Sequence, residues 1–246
     1  MPLLQVPLQG ADMDAKPYKN KILRALEPDV IERLNLKPRK LLVGSDIEIP
    51  GRPIRHLIFI EDGIGSMTTT FSDGFQVEVG MFGAESVMGT SALIGTHRSL
   101  NKVYMQMAGY GFACTTDDAI REFAHFGRFH DLILRNIQAQ LVQTSQSAGC
   151  NAHHNISQRL ARWLLLCADR SESSTLQLTH EYLADMLGTN RSTVSVAAES
   201  LKTKDLIQYT RGKIVILDRP RLEKQACECY HVVRDHLANL LSVSQD

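Results

Sequence analysis

The sequence of 246 residues lacks an excess of either charge, because 27 Lys and Arg residues balance 27 Asp and Glu residues. The net charge therefore gives no indication of nucleic-acid binding, although a balanced total is compatible with a local basic patch. The longest stretch without these four residue types, 136–158, is rich in Gln, Ser, Asn and His, which excludes a membrane-spanning helix. The N-terminus has neither a basic start nor a long apolar run. We therefore expect no signal peptide and a cytoplasmic protein.

Cysteine is scarce, and its placement limits the chemistry that it can perform. Cys114, Cys150, Cys167, Cys227 and Cys229 are odd in number and scattered, which argues against a disulfide framework. In the one close pair a single residue separates the thiols, whereas zinc ligands typically have about two to four residues between them. We favour reduced thiols on a terminal helix over a zinc site, and the sequence predicts no metal ligand.

Motifs of the common enzyme classes are also missing. The sequence contains no G-x-S-x-G, P-loop, paired metal motif or dinucleotide-binding fingerprint. We therefore expect a protein that is not an enzyme.

The residue pattern changes from helical to β-rich and back to helical along the chain, which predicts an α+β protein. From Lys40 to Thr116, short β-rich runs alternate with glycine-containing turns, which predicts a small antiparallel barrel or a double-sheet roll, that is, a β-roll of the double-stranded jelly-roll type. Two short helices separated by Pro28 precede this region, and helical periodicity follows it. The predicted divisions are a flexible tail (1–16), a β-roll domain (17–126), a long helix with a hinge (127–153), a winged helix-turn-helix domain (154–226) and a C-terminal helix (227–246).

The long helix predicted over 127–153 carries an apolar stripe with helical spacing. We favour burial of this stripe against the same helix of a second chain, which would form a homodimer, over packing on the chain's own β-roll. The segment 149–155 interrupts the helical pattern and is predicted to be a hinge. The predicted dimer interface consists of Phe129, Ile133, Leu134, Ile137 and Leu141.

The segment with the clearest functional meaning begins at Thr179. Two short helices, with N-caps predicted at Thr179 and Asn190, flank a turn at Gly188. A small residue, Ala184, and an apolar plug, Val194, allow the two helices to cross at a sharp angle. This pattern predicts a helix-turn-helix, whose second helix lies in the major groove of DNA.

The exposed face of the second helix is predicted to contact double-stranded DNA. Arg191 can donate to guanine O6 and N7, and short Ser and Thr side chains can bond bases or phosphates. A β-hairpin follows, and two basic residues at its tip would reach phosphates as a wing. Between Asn190 and Lys224, eight basic residues outnumber four acidic ones, which favours phosphate binding. The predicted DNA contacts are Thr179, Asn190, Arg191, Ser192, Thr193, Ser195, Val196, Arg211 and Lys213.

The chain resembles the Crp/Fnr superfamily of bacterial transcription regulators over nearly its whole length. The resemblance is carried by PGRPIRHLIF (50–59), RLARWLL (159–165), LTHEYLADMLGTNRSTVSVAAESL (178–201) and YTRGKIVILDRPRLE (209–223). It implies a cyclic-nucleotide-binding-like β-roll, a homodimer and a pseudo-palindromic DNA operator. It also implies movement of the DNA-binding domains in response to an effector and, for an activator, contact with RNA polymerase.

The resemblance does not assign the effector. Family members that bind cyclic nucleotides have a Gly-Glu pair and an Arg-Ser pair around a phosphate loop, which corresponds here to Gly83, Glu85, Arg98 and Ser99. Arg98 would pair with a cyclic phosphate, and Glu85 would bond a ribose hydroxyl. Because Ala84 separates the Gly from the Glu and the loop is longer, we favour structural roles for these residues. No cofactor is therefore assigned, and a cyclic nucleotide stays a candidate.

Other properties of the family apply only in part. An iron–sulfur sensor of the fumarate–nitrate type needs cysteines near the N-terminus, and none precedes Cys114. In the recognition helix, Ser192 and Val196 stand where cyclic-AMP-responsive members have Glu and Arg, which predicts a different DNA half-site. Structural roles are favoured over haem ligation for His56, His97, His125 and His130. The alternative function is a regulatory module that controls a partner protein without binding DNA.

Overall fold

A computed structural model describes residues 18–95 and 97–239 of the chain. The predicted tail, 1–16, and the last part of the predicted C-terminal helix, 240–246, lie outside the described residues. Within the described part, no helix is both long enough and apolar enough to cross a membrane. A β-roll with its own helices comes first along the chain, and a long helix joins it to a C-terminal helical domain.

The N-terminal body is built on an antiparallel sheet of six strands that is roll-like and not closed. The strands are β1 (Lys37–Leu41), β2 (Asp46–Glu48), β3 (His56–Thr70), β4 (Gln76–Phe82), β5 (Val87–Met88) and β6 (Lys102–Thr115). Their order is β1–β6–β3–β4, with β2 paired to β6 and β5 paired to β3. The predicted α+β class and β-roll are confirmed.

Alternation along β3 divides its side chains between two apolar cores. Leu57 and Phe59 pack against the helices that cover the roll, whereas Ile58 and Ile60 face the interior of the roll. A strand buried on both faces reads as a continuous apolar run, as it does here. The covering helices are α1 (Lys21–Arg24), α2 (Pro28–Arg33), α3 (Thr116–Phe123) and the first turns of α4 (Arg128–His153).

The long helix α4 has two apolar faces, and the prediction merged them. Phe129 and Ile133 are fully buried against the chain's own β-roll, so their assignment to a dimer interface was wrong. Spacing of four residues defines a helix face, but it does not say which body covers that face. Leu134 and Leu141 remain 43% and 65% exposed, and Ile137 is half-buried.

The prediction that the helix is interrupted from residue 149 onward was also wrong. α4 continues to His153, and the break is confined to His154 and Asn155. Asn155 caps the next helix, α5 (Ile156–Ser171), through a capping box. An exposed glycine such as Gly149 weakens a helix by only about 1 kcal/mol, and the buried neighbour Cys150 holds this turn in place.

The C-terminal domain contains the predicted helix-turn-helix and hairpin, followed by two helices instead of one. Its elements after α5 are β7 (Thr175–Leu176), α6 (His180–Leu187), α7 (Arg191–Lys202), β8 (Ile207–Thr210), β9 (Lys213–Ile216), α8 (Arg219–Gln225) and α9 (Cys229–Ala238). The backbone is extended at Ala226, which ends α8 without a proline or glycine. The buried residues Leu222, Tyr230 and Val233 lie on both sides of this break.

Candidate nucleic-acid interface

The turn between α6 and α7 has the local structure that its sequence predicts. Thr179 and Asn190 cap the two helices with side-chain oxygens, at N···O distances of 3.1 and 2.8 Å. Gly188 ends α6 with φ at 56°, in the left-handed region. Ala184 and Val194 are buried between the helices. The N-terminal turn of α7 is therefore held firmly and projects away from the domain core.

The outward face of α7 presents four of its six predicted DNA contacts. Arg191 and Val196 each have 71% of the side chain exposed. Glu181 lies 3.9 Å from the guanidinium of Arg191, and both side chains are exposed, so this ion pair is weak. Asn190 and Ser192 are also exposed, whereas Thr193 and Ser195 are half-buried.

His180, which the sequence reasoning missed, links the two helices to the wing. Its Nδ1 lies 2.9 Å from Ser195 Oγ, and its ring stacks on Tyr209 of β8 at a centroid distance of 4.0 Å. Because Ser195 Oγ donates its proton to the carbonyl oxygen of Arg191, at 2.9 Å, the imidazole must donate from Nδ1. Burial, together with the charge of Arg191, lowers the pKa of His180. A neutral His180 therefore positions the recognition helix.

The wing is a three-stranded sheet in the order β7–β9–β8. β8 and β9 form the predicted hairpin, and Thr210 pairs with Lys213 across the turn. Gly212 adopts φ 74° at the tip, a conformation that strongly favours glycine. Arg211 and Lys213 are exposed on either side of it. The two-residue strand β7 was not predicted.

Fewer basic residues are available to contact DNA than the eight counted in the sequence, because several form ion pairs within the domain. The paired cations are Lys202 (with Glu199), Arg219 (with Asp169 and Glu223) and Arg221 (with Asp218). Such pairing leaves fewer cations available to contact phosphates. The cations on the N-terminal turn of the recognition helix and at the wing tip are Arg191, Arg211 and Lys213.

Several known proteins are similar to this chain in sequence or in fold. Residues 158–225 match the family model of the Crp-like helix-turn-helix domain. The Global nitrogen regulator of Nostoc sp. is 24% identical over 196 residues, which cover 74% of this chain and 86% of that protein. FixK2 from Bradyrhizobium japonicum shares the fold with a TM-score of 0.67 at 16% identity, over 78% of this chain and 98% of FixK2. A protein from Eubacterium rectale assigned to the Crp/Fnr family has a TM-score of 0.68 at 15% identity, over 84% and 98% of the two chains.

The chain is a DNA-binding transcription regulator with a Crp-like helix-turn-helix domain, and its fold is similar to that of Crp/Fnr proteins. The matched relatives are regulators and not enzymes. The helix-turn-helix of the regulator is thus its DNA-binding domain.

Three of the four candidate effector contacts of the regulator have side-chain interactions within the chain. The Glu85 carboxylate lies 2.9 Å from the guanidinium of Arg170 on α5, and both side chains are nearly buried. Arg98 donates to the carbonyl oxygen of Gly51 at 2.6 Å. Ser99 Oγ lies 2.8 Å from the Glu48 carboxylate. Glu85 thus reaches the DNA-binding domain.

A cavity of about 100 Å³ lies between the β-roll and α4. Glu48, Phe82 and Thr90 line it from the roll, and Ile137 and Gln140 line it from α4. The described residues that line it include neither Glu85 nor Arg98, the two side chains that the family pattern assigns to a cyclic nucleotide. Typical small-molecule sites enclose about 300–1,000 Å³, so this cavity must widen to take such a ligand.

A buried carboxyl joins the β-roll to the DNA-binding domain. Glu78 on β4 accepts a hydrogen bond from the indole N–H of Trp163 on α5, at 2.8 Å. Ser66 Oγ lies 2.6 Å from Glu78 Oε2 and 2.7 Å from Gln106 Oε1. One hydroxyl has one proton to donate, so a protonated Glu78 satisfies both short contacts. Burial raises the pKa of Glu78 to about 7, which agrees with this proton.

The turn of the helix-turn-helix also rests on the β-roll. A Cβ atom at Gly188 would lie 3.0 Å from Val77 on β4, so a larger residue would push the turn away. The hydroxyls of Tyr104 and Tyr182 lie 3.4 Å apart across the same boundary. The two carboxyl links, Glu78–Trp163 and Glu85–Arg170, are together called the roll contact below. Because their partners are 85 residues apart in sequence, periodicity carried no signal for them.

Proposed function

We propose that the regulator reads DNA with the N-terminal turn of α7. Arg191 would donate two hydrogen bonds to a guanine in the major groove, beside Asn190, Ser192 and Val196. The observation that carries this proposal is the exposure of Arg191 on a capped helix flanked by a basic wing. The proposed phosphate contacts are Thr179, Arg211 and Lys213, with Thr193 and Ser195 supporting the helix end.

We propose that two chains pair through the outward face of α4. Leu134 and Leu141 are exposed and one heptad apart, and Ala148 continues this spacing. A two-fold dimer places two recognition helices in major grooves about 34 Å apart, which matches a pseudo-palindromic operator. Leu141→Lys should give a monomer by sedimentation, whereas Leu100→Lys, at an exposed loop residue, should leave the dimer intact. A dimer that survives Leu141→Lys contradicts this interface.

Gating by an effector or partner would act through the β-roll. The roll contact joins the β-roll directly to α5, so a change in the roll can move the DNA-binding domain about His154 and Asn155. Gly83, Glu85, Arg98 and Ser99 remain candidate effector contacts. We place the regulator in the cytoplasm with its DNA, and an activator would also contact RNA polymerase.

The proposed function is tested first by selecting DNA from a random duplex pool with the purified regulator. At about 150 mM salt, weak non-specific binding is suppressed. We expect enrichment of a two-fold symmetric motif. Lack of enrichment, with and without cyclic AMP and cyclic GMP, would favour a module that controls a partner protein.

The role of Arg191 is then separated from simple charge with three variants. Arg191→Ala should weaken binding to the selected site by about 1–3 kcal/mol and relax specificity at one base pair. Arg191→Lys keeps the charge but loses the two-pronged guanine contact, so it should lose the same specificity. Lys224→Ala removes an exposed charge on α8 and serves as the control. Equal losses on all sequences would make Arg191 a phosphate contact.

A further inference from the structure

Four groups that prefer soft metal ions converge where α4 ends. Cys150 lies in the last turn of α4, His154 directly follows this helix, Cys227 lies between α8 and α9, and Cys229 opens α9. The Cys150 and Cys227 sulfurs are 3.5 Å apart, and the Cys229 sulfur is 3.6 Å from His154 Nδ1. All four donor atoms lie within 4.8 Å of one another. The three cysteines are at most 2% exposed.

We propose that these four residues, the thiol cluster, bind one Zn²⁺ ion per chain. Structural zinc sites are tetrahedral, and three thiolates with one imidazole form one of their common ligand sets. With Zn–S bonds of about 2.3 Å, tetrahedral ligand atoms stand about 3.8 Å from one another. The separations of 3.5 and 3.6 Å are close to this value. The ion therefore fits with small side-chain movements.

The surrounding residues orient the ligands for this purpose. His154 Nε2 lies 3.2 Å from the Glu228 carboxylate, which accepts its N–H and leaves the Nδ1 lone pair facing the thiols. Gln146 donates an amide N–H to the Cys229 sulfur at 3.1 Å, a contact that stabilises a thiolate. Hydrogen bonds of this kind recur around metal-bound histidine and cysteine.

Charge near the thiol cluster also suits a metal thiolate. Three thiolates, one neutral imidazole and one divalent cation have a net charge of −1. Arg159 and Arg162 on α5 both interact electrostatically with Cys150. Arg162 is only 5% exposed, and its Nε has no hydrogen-bond partner among the described residues. A buried cation is expensive without a compensating negative charge, and the loaded site supplies one.

The geometry favours one ion over the other uses of clustered cysteines. A disulfide needs sulfurs about 2.05 Å apart, so Cys150 and Cys227 would have to move closer to form one. An iron–sulfur cluster places several atoms between its ligand sulfurs, which then stand farther apart than donors that share one ion. Soft donors in a closed, four-ligand arrangement indicate zinc.

A bound ion would tie three segments of the regulator together. It would join the end of α4, the short break at His154 and the start of α9. Metal binding at such a site contributes directly to folding free energy. The ion would thus hold the C-terminal helix against the break about which the DNA-binding domain is proposed to move.

The experiment measures metal on the full chain without DNA, so its result is independent of the DNA-reading proposal. The regulator is purified under reductant, incubated with Zn²⁺, desalted and analysed by elemental mass spectrometry. Cobalt replacement follows, because tetrahedral cobalt thiolates have intense, characteristic visible and near-ultraviolet absorption. Cys229→Ser removes one ligand, and Cys114→Ala removes a buried cysteine of β6 as the matched control. Gln146→Ala keeps all four ligands, and it should weaken zinc binding by about tenfold.

We expect one zinc ion per chain and a tetrahedral cobalt spectrum in the wild-type and Cys114→Ala proteins. Cys229→Ser should lose both signals; if it does not fold, the Gln146→Ala affinity decides in its place. The proposal is overturned if the reduced chain, with all five thiols titrating as free, retains no zinc. Retention of a Cys150–Cys227 disulfide under reductant, or undiminished zinc in both Cys229→Ser and Gln146→Ala, would also overturn it.

Discussion

The DNA-binding domain is held to the rest of the regulator at two places of opposite chemistry. At the roll contact, the carboxyl groups of Glu78 and Glu85 on the β-roll contact Trp163 and Arg170 on α5. At the thiol cluster, soft sulfur donors surround the end of α4. Acidification favours the Glu78 link of the roll contact, because a protonated Glu78 is neutral when buried, and it disfavours the thiol cluster, because thiols must lose protons to bind a metal. One domain is thus restrained by two links that respond to different signals.

The largest expected effect comes from breaking the ion pair of the roll contact. Glu85→Gln leaves the Arg170 guanidinium nearly buried without its partner charge, which should destabilise the protein by about 3–5 kcal/mol in urea unfolding. Glu181→Gln, at the exposed pair with Arg191, should change stability by less than about 0.5 kcal/mol. Similar losses in the two variants would mean that the buried pair contributes no more than a surface contact.

The proton on Glu78 makes the same contact dependent on pH. The pKa of Glu78 rises from 4.5 to about 7 on folding, so its stabilising contribution is complete below pH 4.5 and is lost as pH rises to about 7. Glu78→Gln removes this dependence. The variant should gain about 3 kcal/mol over the wild type between these pH values, measured by urea unfolding across the range. A constant difference at every pH contradicts a proton held at Glu78.

Removing metal tests the other link. With free zinc at about 100 times its dissociation constant, chelation should cost about 2.7 kcal/mol of stability in urea unfolding. The loss should shrink on acidification, opposite to the trend at Glu78, because protons compete for the thiolates. Cys229→Ser should not respond to the chelator, whereas Cys114→Ala should respond as the wild type does.

The smallest effect is expected at the tyrosine pair between the domains. The hydroxyls of Tyr104 and Tyr182 are 3.4 Å apart, which is long for a hydrogen bond between two hydroxyls. Tyr104→Phe should therefore cost less than about 0.5 kcal/mol, as measured by urea unfolding beside the wild type. A loss above about 1.5 kcal/mol would show that the boundary depends on this contact as much as on the buried carboxyls.

The helix-turn-helix was predictable because its signals are local. The caps at Thr179 and Asn190 and the turn at Gly188 depend on residues within one or two helical turns. The β-roll was predictable for the same reason, from apolar runs and turn residues. The sequence did not show which residues on the predicted DNA-contacting face of α7 are exposed. Thr193 and Ser195 are half-buried, whereas the other four predicted contacts are exposed.

What the sequence did not reveal depends on contacts between distant segments. The stripe on α4 had the right period, yet only the folded chain distinguishes the face covered by the roll, at Phe129, from the exposed face at Leu141. The break before Cys229 has no proline or glycine to announce it. The thiol cluster combines Cys150 and His154, one helical turn apart, with cysteines more than seventy residues later. Short-range spacing rules miss such a set.

The double burial of β3 has a consequence for how this chain can be divided. Leu57 and Phe59 are covered by Phe129, Leu132 and Ile133, which lie beyond the predicted domain boundary at 126. A fragment that ends there would expose a run of large apolar side chains on a long strand, the type of segment that aggregates. During synthesis the same strand must wait until the first turns of α4 leave the ribosome. The smallest β-roll fragment with a complete core therefore includes those turns.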